Sequence, residues 1–311
     1  MTEIISHIYQ DNEGHWVIQS NEDHSAGVAK LASQFAGEFG MSEWGKVLGL
    51  LHDKGKETDA FQQYIKKESG YAPDIKICGK HHHAYVGGIL AQKYYGKSSY
   101  NLFVNQIVSH HTGLHDSDEI KEISNQEIPS EVNIYHTKEK LNRPEFNIQA
   151  NDFHHLARML FSCLVDADFL DTEAFMVRES YTLRQNKDAL NDLLPLLENK
   201  LKDLKAKADS SEINIIRNQI QQQCLKMADT PTGFYSLTVP TGGGKTLSSL
   251  VWAIKHALKN GQKRVIIAIP YTSIIVQTAS VLRSIFGEEN VLEHHSCVDP
   301  EQIKDEKLKE K

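Results

Sequence analysis

The residues best suited to chemistry include a glycine-rich segment, Val239-Pro240-Thr241-Gly242-Gly243-Gly244-Lys245-Thr246. Glycines let backbone N–H groups turn inward around phosphate oxygens at a helix N-terminus, where the helix dipole also favours anions. The lysine then neutralises the β- and γ-phosphates, and the threonine hydroxyl ligates Mg²⁺. The segment therefore predicts a site for ATP with Mg²⁺, formed by Thr241, Gly242, Gly243, Gly244, Lys245 and Thr246.

A second group of candidate residues lies upstream and consists of histidines and aspartates. In chain order they are His24, His52-Asp53, His83, His110-His111 and Asp168. They recur at similar intervals, which fits one ligand-bearing element per helix pair of a bundle, with all of them converging on one cavity.

Mixed imidazole and carboxylate ligands suit Mn, Fe, Co, Ni or Zn better than Mg or Ca. A carboxylate such as Asp53 can bridge two ions, and two ions about 4 Å apart activate water and neutralise both oxygens of a phosphodiester displacement. A structural zinc site is disfavoured, because such a site usually includes cysteine. The four cysteines form no CxxC pair and are interpreted as reduced structural thiols.

Apolar spacing predicts the elements that position these residues. Helices are expected over residues 24–55, from near His83 onward, from Asn101 to His111, and over 156–164 before Asp168. The polar, acidic stretch from Asp116 to about Asp152 is typical of a surface insertion.

The second half of the chain has a different pattern. Leucines between Leu190 and Leu204 predict an amphipathic packing helix, which Pro195 should kink or interrupt. The character changes around residues 205–215, and a helix is expected over 215–227. Strands at 234–239 and 264–269 are expected to flank the glycine-rich loop and a helix over 247–259, as a strand–loop–helix–strand unit.

Composition excludes few classes of protein. The chain has 311 residues, enough for two domains, and no apolar run long enough to cross a bilayer. The N-terminus has no signal-peptide core, so cytoplasmic residence is expected. A net charge of −7 lacks the basic footprint of a dedicated nucleic-acid-binding domain, although bound divalent ions would add positive charge.

The glycine-rich loop resembles the first motif of superfamily 2 helicases, A-x-T-G-x-G-K-T. The resemblance includes Val239, which stands where the strict phosphate-loop pattern has glycine. The segment Ile269–Gln277 resembles the next helicase motif, which contacts the DNA backbone.

The upstream residues resemble the HD nuclease domain of the CRISPR-associated nuclease–helicase of type I systems. His52-Asp53-Lys54-Gly55-Lys56 with Phe61-Gln62-Gln63-Tyr64 is similar to its HDxGKxxxxFQxY block. Four further segments match its other blocks in order, and His294-His295-Ser296 matches a helicase block. These segments are Asp23–Ser25, His83–Gly88, Ser109–Gly113 and Leu164–Asp168.

This resemblance implies a ligand set. One metal would be held by His24, His52, Asp53 and Asp168, and the other by Asp53, His83, His110 and His111. Asp53 and Lys56 would be the catalytic residues, with Lys56 neutralising charge on the phosphorus.

Two of these assignments leave alternatives open. His83 is preferred to His81 and His82 because the family pattern places a small residue, here Gly87, four positions later. Asp168 is preferred to Asp166 because the family form is Ala-Asp-aromatic-Leu. His15, His136, His154 and His155 are interpreted as surface residues, and Gln221 or Gln222 is an open candidate for contacting adenine.

The implied fold is mainly α: an all-helical HD bundle over residues 1–205, then the first part of a RecA-like α/β domain over 206–311. The implied function is a metal-dependent endo- or exonuclease for single-stranded DNA in CRISPR type I interference. It would be fused to an ATP-dependent 3′-to-5′ DNA translocase and recruited by an RNA-guided, Cascade-type surveillance complex.

Two other functions remain open: an HD-superfamily phosphohydrolase of small nucleotides, and a non-catalytic docking fragment. No acidic Walker B motif or second RecA-like domain follows the phosphate loop. We therefore expect the chain to bind ATP weakly without hydrolysing it.

Overall fold

A computed structural model describes residues 3–79, 82–96, 100–134, 141, 149–178, 181–182 and 187–295. The chain divides into two compact units, Met1–Thr182 and Leu183–Lys311. Within the described ranges, no helix combines the length and the apolar composition that a bilayer-spanning segment needs. The predicted surface residue His136, the alternative ligand His81 and the end of the His294–Ser296 motif lie outside the described residues.

The first unit is a helical bundle with a small antiparallel hairpin at its start. The hairpin consists of β1 (Ile5–Gln10) and β2 (Trp16–Ser20). The helices are α1 (Asn21–Gly37), α2 (Ser42–Leu51), α3 (Asp59–Glu68), α4 (Ala84–Tyr95), α5 (Asn105–Ser109), α6 (Ser117–Ser124) and α7 (Phe153–Met176). A short 3₁₀ turn, Lys54–Glu57, follows α2, and a π-helical turn, Tyr100–Val104, precedes α5.

Helices α1 and α2 form the centre of this bundle because small residues let their backbones approach closely. The side chain of Ser20 caps α1 by accepting from the backbone N–H of Asp23. A Cβ on Gly45 would lie 2.2 Å from the carbonyl oxygen of Ala32, and one on Gly49 2.4 Å from the Cα of Ala29. The close packing of the two helices therefore fixes the position of His52-Asp53, which directly follows α2.

The hairpin was not predicted, and a side chain on α3 ties the start of β1 to the bundle. Gln62 on α3 accepts from the backbone N–H of Ile5 at 3.0 Å and donates to its carbonyl at 2.9 Å. Gln62 also donates to the carbonyl of Lys56 at 2.8 Å. It replaces the partners that β1 lacks on its outer edge and fixes this strand beside the 3₁₀ turn.

The predicted surface insertion contains packed structure. Asp116 and Glu119 form a capping box that starts α6. Ile120 on that helix is fully buried against Val104 and Val108, and Val132 is buried in a cluster with α4. The surface prediction is therefore wrong for these residues, because a few apolar positions in a polar segment were enough to dock it. Residues 135–140 and 142–148 lie outside the described part.

The second unit contains four described helices: α8 (Leu190–Lys207), α9 (Glu212–Met227), α10 (Lys245–Lys259) and α11 (Thr272–Phe286). Leu193 and Leu197 of α8 pack with Leu250, Val251 and Ile254 of α10. The leucine stripe therefore serves core packing, as predicted, but α8 runs without interruption through Pro195.

Neither predicted strand of this unit is paired within the part of the chain that the structure describes. Residues 234–239 and 264–269 have no ladder partner there, and Ile266 is 84% exposed. A strand exists only where a neighbouring segment pairs with it, so β-propensity alone was insufficient.

The prediction of a mainly helical chain is confirmed. The division between the units after residue 182 lies earlier than the domain boundary predicted after residue 205. The difference arises because α8 packs on α10 and α11, within the second unit.

Candidate metal centre

The candidate ligands lie on five parts of the helical bundle. His24 projects from the first turn of α1, and His52-Asp53 directly follow α2. His83 precedes α4, while His110 and His111 follow α5. Asp168 lies on α7. The structure brings all seven side chains into two groups, in each of which the potential ligand atoms lie within 4.8 Å of one another.

The first group comprises His24, His52, Asp53 and Asp168. His24 Nε2 lies 3.3 Å from Asp53 Oδ2 and 3.2 Å from Asp168 Oδ1. His52 Nε2 lies 3.3 Å from the same oxygen of Asp53. Both imidazoles are fully buried, so this group lies inside the bundle.

The second group comprises Asp53, His83, His110 and His111. The other oxygen of Asp53, Oδ1, lies 3.2 Å from His83 Nε2 and 3.5 Å from His110 Nε2. His83 Nε2 and His111 Nε2 are 2.9 Å apart. Asp53 therefore offers one oxygen to each group, while the exposed His111 places the second group nearer to solvent.

The polar atoms at the centre are buried and make no hydrogen bond within the described part of the chain. They are Nε2 of His24, His52 and His110, and both oxygens of Asp53, of which Oδ2 also forms an ion pair with Lys56. Leaving such atoms buried without hydrogen bonds costs free energy, which a bound cation would offset. The residues present thus fit divalent ions, because imidazole and carboxylate donors point at shared positions.

Three of the histidines are oriented through their other ring nitrogen. Nδ1 of His52 and Nδ1 of His110 contact the backbone carbonyls of Gly49 (2.8 Å) and Ile107 (2.5 Å). A carbonyl only accepts, so Nδ1 carries the proton in both rings and the lone pair of a neutral ring is on Nε2. Such outer contacts fix the ring orientation of metal-binding histidines.

His24 has a different outer partner, which sequence reasoning missed. Its Nδ1 lies 2.8 Å from Oδ2 of Asp171, one helical turn beyond Asp168 on α7. The available signal was the i, i+3 spacing of two aspartates, which puts both on one face of a helix.

The pKa shifts of the histidines differ between the two groups of potential ligands. Burial lowers the pKa of His24, but the carboxylates of Asp168, Asp171 and Asp53 outweigh it and raise the pKa to about 10. In the same way, Asp53 and Asp168 outweigh burial and raise the pKa of His52 to about 9. Burial opposes ionisation of Asp53, yet His52 and Lys56 hold its pKa well below the ordinary value.

In the second group, the pKa values of His83 and His111 are shifted in the opposite direction. Burial lowers the pKa of His83, and partial desolvation of the His111 ring, together with the neighbouring His110 and His83, lowers the pKa of His111 to about 4. At neutral pH these two rings are neutral and can donate a lone pair, whereas His24 and His52 hold protons that a metal ion must displace.

Lys56 completes the centre. Its ammonium lies 2.7 Å from Asp53 Oδ2 and donates to the hydroxyl of Ser6, on β1, at 3.0 Å. The residue is only 5% exposed, so its ammonium is held beside the shared carboxylate inside the bundle. Through Ser6, the unpredicted hairpin therefore also contributes a side chain to the site.

The alternative ligands lie outside both groups. His82 and Asp166 are exposed, whereas His83 and Asp168 belong to the clusters. His15, His154 and His155 are exposed, as predicted for surface residues.

The phosphate loop of the second unit is built from local backbone conformation. Gly242 and Gly244 have φ angles of 80° and 78°, which other residues rarely adopt, and α10 begins at Lys245. Gly243 is buried, with its N–H donating to the carbonyl of Pro240 at 3.0 Å. The remaining predicted nucleotide contacts, Thr241, Gly242, Gly244, Lys245 and Thr246, are exposed.

Comparison with known families assigns both regions. Residues 21–145 match the HD domain family model, and residues 218–310 match the DEAD/DEAH box helicase model. No curated protein is significantly similar to the chain. HD domains are metal-dependent phosphohydrolases, and this one presents a His/Asp cluster able to hold metal. The chain therefore carries an HD domain followed by a DEAD/DEAH helicase-type domain.

Proposed function

We propose that the first unit is a two-metal nuclease that cleaves single-stranded DNA. The observation that carries this proposal is the carboxylate of Asp53, whose two oxygens face two different groups of ligands. A shared carboxylate is the arrangement suited to a pair of ions acting on one phosphodiester.

Two ions held here would supply an activated water and neutralise the charge that develops on the phosphate. We propose Mn, Fe, Co, Ni or Zn, held by His24, His52, Asp53 and Asp168 in the first group, and by Asp53, His83, His110 and His111 in the second. The mixture of imidazole nitrogens and carboxylate oxygens disfavours Mg and Ca.

The protein side chains then have separate tasks. Lys56 adds a buried positive charge next to Asp53, where a phosphate reaching the centre needs neutralisation. The carbonyls of Gly49 and Ile107 hold His52 and His110 in the tautomer that directs Nε2 inward. Neither task requires the chain to move.

Unequal burial favours a flexible substrate. His24 and His52 are fully buried, whereas His111 is exposed, so a phosphate reaches the centre from the side of the second group. A single strand can bend a phosphate into such a recess more readily than a duplex, whose persistence length is about 150 base pairs.

The helicase-type domain supports a nucleic-acid substrate over a small nucleotide, because hydrolysis of free nucleotides needs no motor. We further propose that the helicase-type domain belongs to an ATP-driven 3′-to-5′ translocase of the cytoplasm, acting in CRISPR type I interference. A Cascade-type surveillance complex would present the displaced strand, so that guide pairing reads the sequence and the nuclease need not.

Cleavage of circular single-stranded DNA by the purified chain tests the nuclease proposal. We expect cleavage with Mn²⁺, Co²⁺ or Ni²⁺ and without ATP, none with chelator, and none in Asp53→Ala. The matched control Asp74→Ala, an exposed carboxylate, should cut like the wild type. Equal cleavage by Asp53→Ala would contradict the two-metal site.

The same assay separates the alternatives. Hydrolysis of nucleoside monophosphates without cleavage of DNA would favour a small-nucleotide phosphohydrolase. Metal binding with no hydrolysis of either substrate would favour a docking role.

A further inference from the structure

We propose that Asp171 is a positioning residue for the metal centre: it fixes the His24 ring so that Nε2 faces the first group of ligands. This inference rests on the proposed function, since it concerns the same centre. Asp171 belongs to neither group of potential metal ligands, so it would act through His24 and not on the ion itself.

The contacts of His24 support this role. One ring nitrogen, Nε2, lies near Asp53 and Asp168, and the other, Nδ1, lies 2.8 Å from Asp171 Oδ2. A carboxylate that accepts from Nδ1 directs the lone pair of the neutral ring to Nε2 and makes that nitrogen a stronger donor to metal. His52 and His110 achieve the same orientation with neutral backbone carbonyls.

Asp171 is itself held in place. Gln19, on β2, donates from Nε2 to the same oxygen, Oδ2, at 2.8 Å. Both hydrogen bonds therefore end on one atom, and the side chain of Asp171 is only 16% exposed. The carboxylate lies between the hairpin and α1, and its orientation is determined from both sides.

Gly27 provides the space that this carboxylate occupies. A Cβ at this position would lie 1.9 Å from Asp171 Oδ1, closer than any real contact. Gly27 is three residues after His24 on α1, which places both on the side of the helix that faces α7. An alanine here would push the carboxylate away without adding or removing a charge.

These contacts define three variants. Asp171→Ala removes the acceptor. Asp171→Asn keeps an oxygen able to accept both hydrogen bonds but removes the charge. Gly27→Ala displaces the carboxylate and leaves its chemistry unchanged. Asp166→Ala, an exposed carboxylate on the same helix, is the matched control.

Calorimetric titration of the metal-free, full chain with Mn²⁺ measures the effect. We expect affinity at one of the two sites to fall about 10- to 100-fold in Asp171→Ala, as for other outer-shell partners of metal ligands. Gly27→Ala should reproduce the loss, Asp171→Asn should recover part of it, and Asp166→Ala should match the wild type. Circular dichroism in chelator should show cooperative unfolding for every variant, so that the proteins compared are all folded at the titration temperature.

The outcomes separate the two proposals. If the wild type binds no Mn²⁺, the proposed function is wrong and the role of Asp171 falls with it. If the wild type binds Mn²⁺ and the Asp171 and Gly27 variants bind equally well, only the positioning role is wrong. Equal losses in Asp166→Ala and Asp171→Ala would point to a general charge effect and would also overturn it.

Discussion

The metal centre and the phosphate loop show two ways of building a site. The loop uses consecutive residues, Val239 to Thr246, and its shape comes from glycines with positive φ. The centre collects residues from His24 to Asp168, and its shape comes from the packing of helices. The first kind of site is a property of a short segment, and the second is a property of a whole fold.

The metal centre and the phosphate loop also differ in how deeply their residues are buried. His24, His52 and Asp53 are fully buried, whereas Lys245 and Thr246 are exposed. Buried charges interact strongly and depend on one another, while exposed charges are screened by water. We therefore expect changes at the centre to affect stability, proton uptake and catalysis together, and changes at the loop to affect nucleotide binding alone.

The largest expected effect is that of Asp53→Asn. It removes the shared carboxylate and leaves the protonated His24 and His52, with Lys56, as buried cations. Cleavage should fall at least about 1,000-fold, the equivalent of about 4 kcal/mol of transition-state stabilisation. The metal-free protein should lose about 3–5 kcal/mol of unfolding free energy in urea titration. Unchanged stability would mean that the centre is less coupled than its burial indicates.

The next effect is a pH dependence confined to the centre. His24 and His52 have pKa values of about 10 and 9, so binding at the first group releases protons at neutral pH. Metal affinity there should rise about tenfold per released proton for each pH unit. Mn²⁺ titrations between pH 6.5 and 8.5 measure this slope, and a flat profile would contradict it.

The unfolding free energy of the metal-free protein should fall as pH rises, whereas metal affinity rises. Both folded-state pKa values exceed the ordinary 6.5, so their contribution is complete below pH 6.5 and is lost as pH rises toward 10. The increase in melting temperature that metal produces should therefore grow with pH. The second group, with neutral His83 and His111, should contribute little to this trend.

A glycine substitution tests the dependence of the centre on packing. A Cβ on Gly55 would lie 2.0 Å from the carbonyl oxygen of His83, where backbone must shift. Gly55→Ala should cost about 1–3 kcal/mol of stability and displace a metal ligand. Gly233→Ala in the second unit, where the nearest contact of an added Cβ would be 3.8 Å, is the control. Equal melting temperatures for the two variants would argue against tight packing at Gly55.

Lys245→Ala should affect nucleotide binding without affecting the nuclease. Loss of a charged hydrogen bond worth about 1.5–3 kcal/mol weakens ATP binding roughly 10- to 100-fold. Lys259→Ala, at the exposed end of the same helix, is the control. Fluorescent ATP-analogue titration measures the affinity, and a parallel loss of metal-dependent DNA cleavage would show that the two sites are not independent.

The smallest effect is expected for Ser6→Ala, which removes the hydroxyl that accepts from Lys56. A hydrogen bond between a neutral and a charged group contributes about 1.5 kcal/mol, so its loss changes the cleavage rate at most roughly tenfold. DNA cleavage should fall severalfold with metal affinity unchanged. Thr112→Ala, whose hydroxyl is exposed, is the control.

Helical periodicity and the local motifs were readable from the sequence. The spacing of apolar residues predicted most helices of both units, because a helix is stabilised by contacts three and four residues apart. The glycine-rich loop was equally readable, since its conformation depends on neighbouring residues alone. The order of the histidines and aspartates predicted that they converge on one cavity, and the family resemblance supplied their division into two ligand groups.

Tertiary structure decided what depends on distant partners. The hairpin is held by Gln62, the segment after Asp116 is docked by Ile120, and His24 is oriented by Asp171. The segments at 234–239 and 264–269 show the reverse case, in which strand propensity finds no partner among the described residues. Consecutive residues determine the local backbone conformation. Strand pairing, the docking of a segment and the orientation of a buried imidazole depend instead on contacts between residues far apart in the chain.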